Sequence, residues 1–357
     1  NMWFKSLPSQ TAQEVCKLLD KAWKSFYTLK KTGGIENPGA PRFKQTGIAV
    51  TYMQNGIRHE SGSGQVRLSI PKKLKEYMKA TYQISDNYLF LKNSIFKDTD
   101  RIKQLKLYPP KDGRCELITV YEVEDPKMLS DNGHYLSVDL GLHNLMTCYD
   151  SCGHSFIMGR KYLSICRKYD KEIARVQSQW AGQQAKKGIR YPKPSRHVLK
   201  LYSKKRDTVR DYLHKMTRRL TDYCVEHDIR TVVIGDIRNI RKGTDLGKRN
   251  NQKLHALPYE KIYMMLEYKL KLEGIRLIKQ EESYTSQCSP YADSVSGEYA
   301  QKRNRKTRGL YVVNGEVFNA DAVGAYNIMR KYFAVSGINK ALSVSGLSNT
   351  KIKKVAV

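Results

Sequence analysis

The chain has 357 residues, 40% of them hydrophobic, and carries 64 Lys and Arg against 34 Asp and Glu. A net charge of +30 repels itself unless a polyanion neutralises it, and nucleic acid is the common polyanion; membrane binders instead gather charge on one helix or tail, whereas here it runs through the chain. No apolar run approaches the roughly 18 residues that span a bilayer, no signal-peptide pattern opens the chain, and the seven cysteines are scattered without a CxxC, which speaks against a membrane protein and a disulfide scaffold.

Val15, Leu18, Leu19, Ala22, Trp23, Phe26 and Tyr27 recur at helical spacing and predict a helix over about 9–30, ended by Thr32-Gly33-Gly34. From 43 to about 123 short strand-like runs (47–53, 65–70, 88–91, 116–121) are broken by Asn-Gly, Gly-Ser-Gly and Pro-Pro. They predict a small β-barrel or curled sheet with a helix near 72–81.

A second domain opens at His134. Residues 135–140 read as a buried strand, with 145–149 and 155–158 as antiparallel partners. Cys148 and Cys152, near His143 and His154, fall in that hairpin and read as strand and turn residues rather than metal ligands. Residues 162–184 read as a basic helix and 186–194 as a polar break. A long helix follows over 195–227, with Leu199, Leu201, Val209, Tyr212, Leu213, Met216, Leu220, Tyr223 and Cys224 on its inner face.

Residues 231–234 form a further strand, 238–253 a loop, and 258–273 a helix capped by Gly274. Residues 275–278 are another strand, running into Gln280-Glu281-Glu282. A basic, loop-rich stretch fills 283–314, a last helix spans 319–332, and the Ser/Gly/Lys-rich tail from Ala334 reads as loose. A three-strand meander followed by two strands joined through helices is the RNase H order, a mixed five-stranded α/β sheet.

Isolated acids inside apolar segments are the signature of carboxylates gathered around hard cations. Hydrolysis of phosphodiesters by two metals needs such ligands converging from different strands on Mg²⁺ ions about 4 Å apart. Asp139 ends the apolar run Tyr135-Leu136-Ser137-Val138 with no cation beside it in sequence, a costly place for a carboxylate unless it binds something. Asp321 opens the last helix among Ala320, Ala322, Gly324 and Ala325, small residues that let a helix end approach a sheet. Each has a plainer reading, Asp139 as a turn cap and Asp321 as a helix cap.

Several segments taken in order carry a resemblance. Residues 137–147, SVDLGLHNLMT, resemble the first RuvC motif of TnpB proteins and of type V CRISPR effector nucleases, and 319–328, NADAVGAYNI, resembles the third. Residues 283–289, SYTSQCS, resemble the opening of that family's zinc ribbon, and 41–44, PRFK, resemble a signature of its N-terminal region.

The resemblance implies a truncated helical recognition region (1–42), a wedge-like β-barrel (43–133), a RuvC nuclease domain in two parts (134–282 and 319–357) and a target-nucleic-acid-binding insertion (283–318). It implies an RNA-guided DNA endonuclease of a prokaryotic cytoplasm. Its partners would be a guide RNA (omega RNA or CRISPR-like) and double-stranded target DNA read beside a short flanking motif, with no membrane, and its cofactor two Mg²⁺ ions. The alternatives are an RNA-guided DNA-binding regulator that does not cut, and a guide-independent transposase or resolvase.

Two departures bear on the site. The family's second RuvC motif ends the fourth strand with Glu, but here Val232-Val233-Ile234-Gly235-Asp236 puts Gly235 at that position. Asp236 alternates to the opposite face. Neighbouring parallel strands lie about 4.8 Å apart, so a Glu of the next strand can reach the vacated place. The catalytic set is therefore Asp139, Asp321 and a migrated Glu, with Glu282 favoured over Glu281, and the Mg²⁺ ligands are Asp139, Glu282 and Asp321. Of the ribbon's thiols only Cys288 is present, and one thiol builds no Cys₄ site, so no zinc is expected.

Phosphate contacts are assigned to Lys200, Lys204, Arg206, Arg210 and Arg218 on the long helix and to Lys302, Arg303, Arg305, Lys306 and Arg308 after the ribbon remnant. Tyr27, Tyr52, Tyr77 and Tyr82, near basic stretches, are candidates for stacking on bases.

Overall fold

The structure is a computed structural model that describes all residues except 1, 34, 44–46, 61, 98, 100, 111–114, 238–256 and 308. The chain divides into two compact units, 1–124 and 125–357.

In the first unit a short helix α1 (Met2–Lys5) precedes α2 (Ser9–Thr32), which Gly33 ends in the left-handed conformation. The Thr11 hydroxyl donates to the Thr51 carbonyl at 2.7 Å and fastens α2 to β1 (Val50–Met53). Then come β2 (Ile57–His59), β3 (Gln65–Ser69), α3 (Lys72–Tyr82), β4 (Tyr88–Lys92), β5 (Ile102–Leu107) and β6 (Leu117–Tyr121). They form two three-stranded antiparallel sheets, β1-β5-β6 and β2-β3-β4, around one core of Tyr52, Ile57, Val66, Leu68, Phe96, Ile102 and Leu105. The apolar stripe of α2 is largely open: Leu19 is 55% and Tyr27 60% exposed.

The second unit is built on a six-stranded sheet ordered β11-β10-β7-β8-β9-β15. Its strands are β7 (Tyr135–Asp139), β8 (Met146–Asp150), β9 (Ser155–Met158), β10 (Thr231–Asp236), β11 (Arg276–Glu281) and β15 (Lys351–Ile352). β7, β8 and β9 run antiparallel in turn, and β10 and β11 add parallel to β7. Between β9 and β10 lie helices α4 (Tyr162–Ala185) and α5 (Arg196–Glu226), the latter capped by the Ser195 hydroxyl; α6 (Tyr259–Leu272) leads into β11. Between β11 and α7 (Ala320–Ser336), β12 (Arg305–Thr307), β13 (Leu310–Val313) and β14 (Glu316–Asn319) make a small antiparallel sheet.

The sheet alternates cleanly because both its faces are covered. Leu136, Val138, Met146, Cys148, Val232 and Ile234 pack on α5 and α6, while Tyr135 and Tyr149 pack on α7. Ser137, on that second face, donates to the Ala325 carbonyl of α7 at 2.6 Å.

Several expectations need correction. The sheet has six strands, not five, because the tail expected to be loose supplies β15 parallel to β9. Tyr149 donates to the Ser343 carbonyl and Ser155 to the Gly346 carbonyl, and Leu347 is fully buried. Leu199, expected inside, is 46% exposed. The predicted loop over 238–253 lies outside the described residues.

Candidate active site

Alternation along β7 sends Asp139 to the same face as Tyr135 and Ser137, the face covered by α7. What lets α7 come so close is Gly324: a Cβ there would lie 2.6 Å from Asp139 Oδ2. Asn319 caps the start of α7, its side-chain oxygen accepting from the backbone N–H groups of Asp321 and Ala322. That cap fixes Asp321 in the first turn, over the end of β7.

Glu282 follows the last residue of β11, and its turn is held by the Thr285 hydroxyl donating to the Glu282 carbonyl at 2.8 Å. Tyr284 within that turn adopts φ +66°, a left-handed conformation that a Tyr holds only at a cost of about 1–3 kcal/mol. Asn327 of α7 donates to the carbonyls of Thr285 and Cys288, and Arg330 donates to that of Ser289. The segment after Glu282 is thereby sewn to the helix that carries Asp321.

These pieces line one cleft of about 530 Å³, bounded by Asp139, Gly141, His143, Asp236, Glu281 to Gln287, Arg305 and Asp321. Glu282 fills the place of the side chain missing at 235. A Cβ built on Gly235 would clash with Glu282 Oε2, well inside van der Waals contact, and lie 3.2 Å from its carboxyl carbon. That Oε2 is buried with no hydrogen-bond partner.

Glu281 goes elsewhere. It is paired with Lys331 and accepts from the Ser283 backbone N–H; burial works against its ionisation, but these bonds outweigh it and hold its pKa below the ordinary value. Asp236 shares a face with Val232 and Ile234. It lines a small cavity with Tyr259, Tyr263 and Lys279 and also reaches the cleft rim.

The electrostatics of the cleft are those of acids short of a cation. Burial first, then the charge of Asp321, raises the Asp139 pKa to about 7 against the opposing pull of Arg305. Burial first, then the charges of Asp139, Asp236 and Glu281, raises Glu282 to about 8. Asp321 is better served: Arg305 donates to its Oδ1 at 3.0 Å and Asn144 to its Oδ2 at 2.8 Å.

An orphaned buried carboxylate oxygen beside two more carboxylates, all hard oxygen donors, is the chemistry that suits Mg²⁺. The donors fit, but not as a finished chelate. Among the described residues no three His, Cys, Asp or Glu side chains are already gathered for an ion, and Asp321 is engaged by Arg305.

Sequence reasoning nominated Arg305 as a phosphate contact, but the structure makes it the counter-ion of Asp321. It missed Asn144 altogether: the bond to Asp321 spans 177 residues and leaves no local signal. The other nominated cations stand on the surface. Lys200, Lys204, Arg210, Lys302, Arg303 and Lys306 are exposed; Arg206 pairs with Asp207, and Arg218 with Asp222 and Glu273. Arg308 lies outside the described residues. Of the candidate stacking tyrosines, Tyr52 is buried in the core of the first unit, whereas Tyr27 and Tyr82 are exposed.

Two family models match this chain. Residues 119–241 match OrfB_IS605, described as a probable transposase, and residues 259–328 match the Cas12f1-like TNB domain. The chain is TnpB-like. It is 25% identical over 354 residues to the putative RNA-guided DNA endonuclease InsQ of Escherichia coli, covering 93% of this chain and 77% of that protein. It is 23% identical over 222 residues to the TnpB-like protein MJ0751 of Methanocaldococcus jannaschii, covering 60% and 74%. In fold it is similar to the Cas12f1 chain of a Cas12f1–sgRNA–target DNA complex, with a TM-score of 0.57, 15% identity, and coverage of 85% of this chain and 68% of that one. The TNB match of this TnpB-like chain runs through α6, β11, the Glu282 turn and the small sheet to the first half of α7, so it takes in both Glu282 and Asp321.

Proposed function

We propose that this TnpB-like chain is an RNA-guided DNA endonuclease: a guide RNA selects double-stranded target DNA beside a short flanking motif, and one RuvC-type, RNase H-like site cuts it. The strand order of the second unit, the +30 charge and the likeness to InsQ and to the Cas12f1 complex support this reading. The observation that carries it is the Glu282 carboxylate seated in the space left by Gly235, its Oε2 without a partner, beside Asp139.

In this reading Asp139, Glu282 and Asp321 hold two Mg²⁺ ions, which when bound would activate the attacking water and stabilise the leaving oxygen. The remaining work belongs to the chain. Burial keeps Asp139 and Glu282 reluctant to ionise until a cation arrives, so the site is selective for conditions in which one is present. Asn144 holds Asp321 by one oxygen, leaving the other to exchange Arg305 for a cation. Arg305, once released, stands at the cleft beside Lys306 and can take a backbone phosphate. The Asn327 and Arg330 bonds keep the Glu282 turn from drifting off α7. The segment around Cys288 is read as metal-free, held by these bonds and by Cys288 Sγ against the Ser296 carbonyl at 3.2 Å; metal analysis of the purified protein should find no stoichiometric zinc.

The engagement of Asp321 by Arg305 favours a second reading, a guide-directed binder that does not cut. One experiment separates the two. The protein is purified with its RNA, the RNA is sequenced, and a duplex complementary to its variable end is incubated with the complex and Mg²⁺. Guide-dependent fragments support the endonuclease; binding without fragments supports the regulator; fragments that ignore the guide overturn both.

A further inference from the structure

Helices α4 and α5 form a long hairpin whose outer end is held by a small core of Ile173, Val176, Val198 and Leu201. Beyond that core the turn opens into a groove of about 740 Å³. Trp180 forms one wall, its indole N–H donating to the Lys193 carbonyl at 2.9 Å, so the ring is pinned by its edge. Tyr191 stands on the lip, 83% exposed, with the Arg190 guanidinium 5.5 Å from its ring centroid. A tyrosine so exposed leaves most of its ring open, and a pinned indole beside it makes two flat apolar surfaces at one opening.

The rim is cationic without relief. No Asp or Glu occurs between Glu172 and Asp207, while Lys193 and Arg196 line the groove, Arg190 sits by the Tyr191 ring, and all three are exposed. Flat aromatic walls inside a rim of positive charge match one ligand unit, a planar base joined to a phosphate. A duplex does not offer it, because its bases are stacked and paired. An acidic peptide would satisfy the rim but gives the aromatic walls nothing flat to stack on.

We propose that the α4–α5 tip is a docking site for an unpaired nucleotide of single-stranded nucleic acid, the base entering against Trp180 and Tyr191 and its phosphates resting on Arg190, Lys193 and Arg196. The site is separate from the acidic cleft, and it stands whether or not that cleft cuts.

The test uses the full chain with Trp3→Phe and Trp23→Phe, which leaves Trp180 the single indole of the three tryptophans. Its emission is followed on titration with oligo(dT), with oligo(rU), and with a duplex of equal length. Single strands should quench Trp180 saturably, and the duplex much less; the stronger of the two single-strand responses tells which strand type the site prefers.

Base–aromatic stacking is worth about 1–3 kcal/mol by alanine substitution. Tyr191→Ala should therefore weaken single-strand affinity at least about five-fold and diminish the quench, while Tyr191→Phe keeps both. Trp180 emission that stays unchanged while anisotropy reports bound oligonucleotide would overturn the proposal. So would equal quenching by duplex, or a Tyr191→Ala protein that binds like its parent with an unaltered far-UV spectrum.

Discussion

Gly235→Ala is the smallest perturbation that separates the migrated-glutamate account from its rivals. The added methyl falls on Glu282 Oε2 and lies 3.1 Å from Ile328 Cδ1, so the carboxylate must leave or the strand must shift. The carboxylate is the softer of the two, being the far end of a flexible side chain without a hydrogen bond on that oxygen. The fold then loses no more than the about 1–3 kcal/mol usual for overpacking. Loss of a mere outer-shell partner of a metal site costs about 10–100-fold, so displacing a ligand should slow single-turnover cleavage of a labelled duplex at least about 100-fold. Binding of guide and target should stay at the parental level. The double variant Gly235→Glu with Glu282→Gly returns a carboxylate to the same space from β10 and should recover part of the lost rate. A Gly235→Ala protein that cuts at the parental rate would refute the assignment of Glu282.

Other consequences follow from the same geometry. In the folded protein Asp139 and Glu282 ionise near 7 and 8, against ordinary values of 3.8 and 4.5. The folded state therefore keeps protons that the unfolded chain has released, and stability falls as pH rises between about 4 and 8. The Tm of protein in EDTA should drop across that window, more steeply than in Glu282→Gln, and Mg²⁺ should restore it at the alkaline end; a profile that Glu282→Gln leaves unaltered contradicts this. Arg305→Gln removes a partly exposed ion pair worth about 0.2–1 kcal/mol, so Mn²⁺ binding to nucleic-acid-free protein should tighten by up to about five-fold; weaker Mn²⁺ binding would show that Arg305 supports the site rather than occupying it. Binding of guide RNA should weaken by about three orders of magnitude or more between 50 and 200 mM salt if the chain neutralises roughly six to ten phosphates; a flat salt response would refute binding through backbone phosphates.

The parts of the fold that could be read from the sequence are those whose surroundings are uniform. β7 and β10 are covered on both faces, so they appear as unbroken apolar runs, and the inner faces of α5 and α6 repeat at helical spacing because one side of each meets the sheet. The tail gave no such pattern. Leu342, Val344, Leu347 and Val355 come singly among Ser, Gly and Lys, and the segment is held by the edge of β9 and by hydrogen bonds to Tyr149 and Ser155, each nearly 200 residues away. The α2 spacing foretold the helix but not its surroundings: amphipathic spacing states that a face is apolar, not what covers it.

The acidic cleft was half legible. Asp139 and Asp321 are acids in apolar company, a local anomaly that any reader of the sequence meets. The choice between Glu281 and Glu282 could not come from strand alternation, because Glu282 lies beyond the last residue of β11, where a turn with a left-handed Tyr284 sets direction. The space that Glu282 fills beside Gly235 and the Lys331–Glu281 pair, both products of packing across the sheet, are what favour Glu282. The Arg305 and Asn144 partners of Asp321 are likewise tertiary.

Glu281→Gln and Glu282→Gln, assayed side by side for Mg²⁺-dependent cleavage of guide-matched duplex and for binding of the same duplex, probe the central claim most directly. Both proteins should bind alike, Glu281→Gln should cut near the parental rate, and Glu282→Gln should not cut. Two variants that both cut, or a silent Glu281→Gln beside an active Glu282→Gln, would contradict the three-carboxylate site.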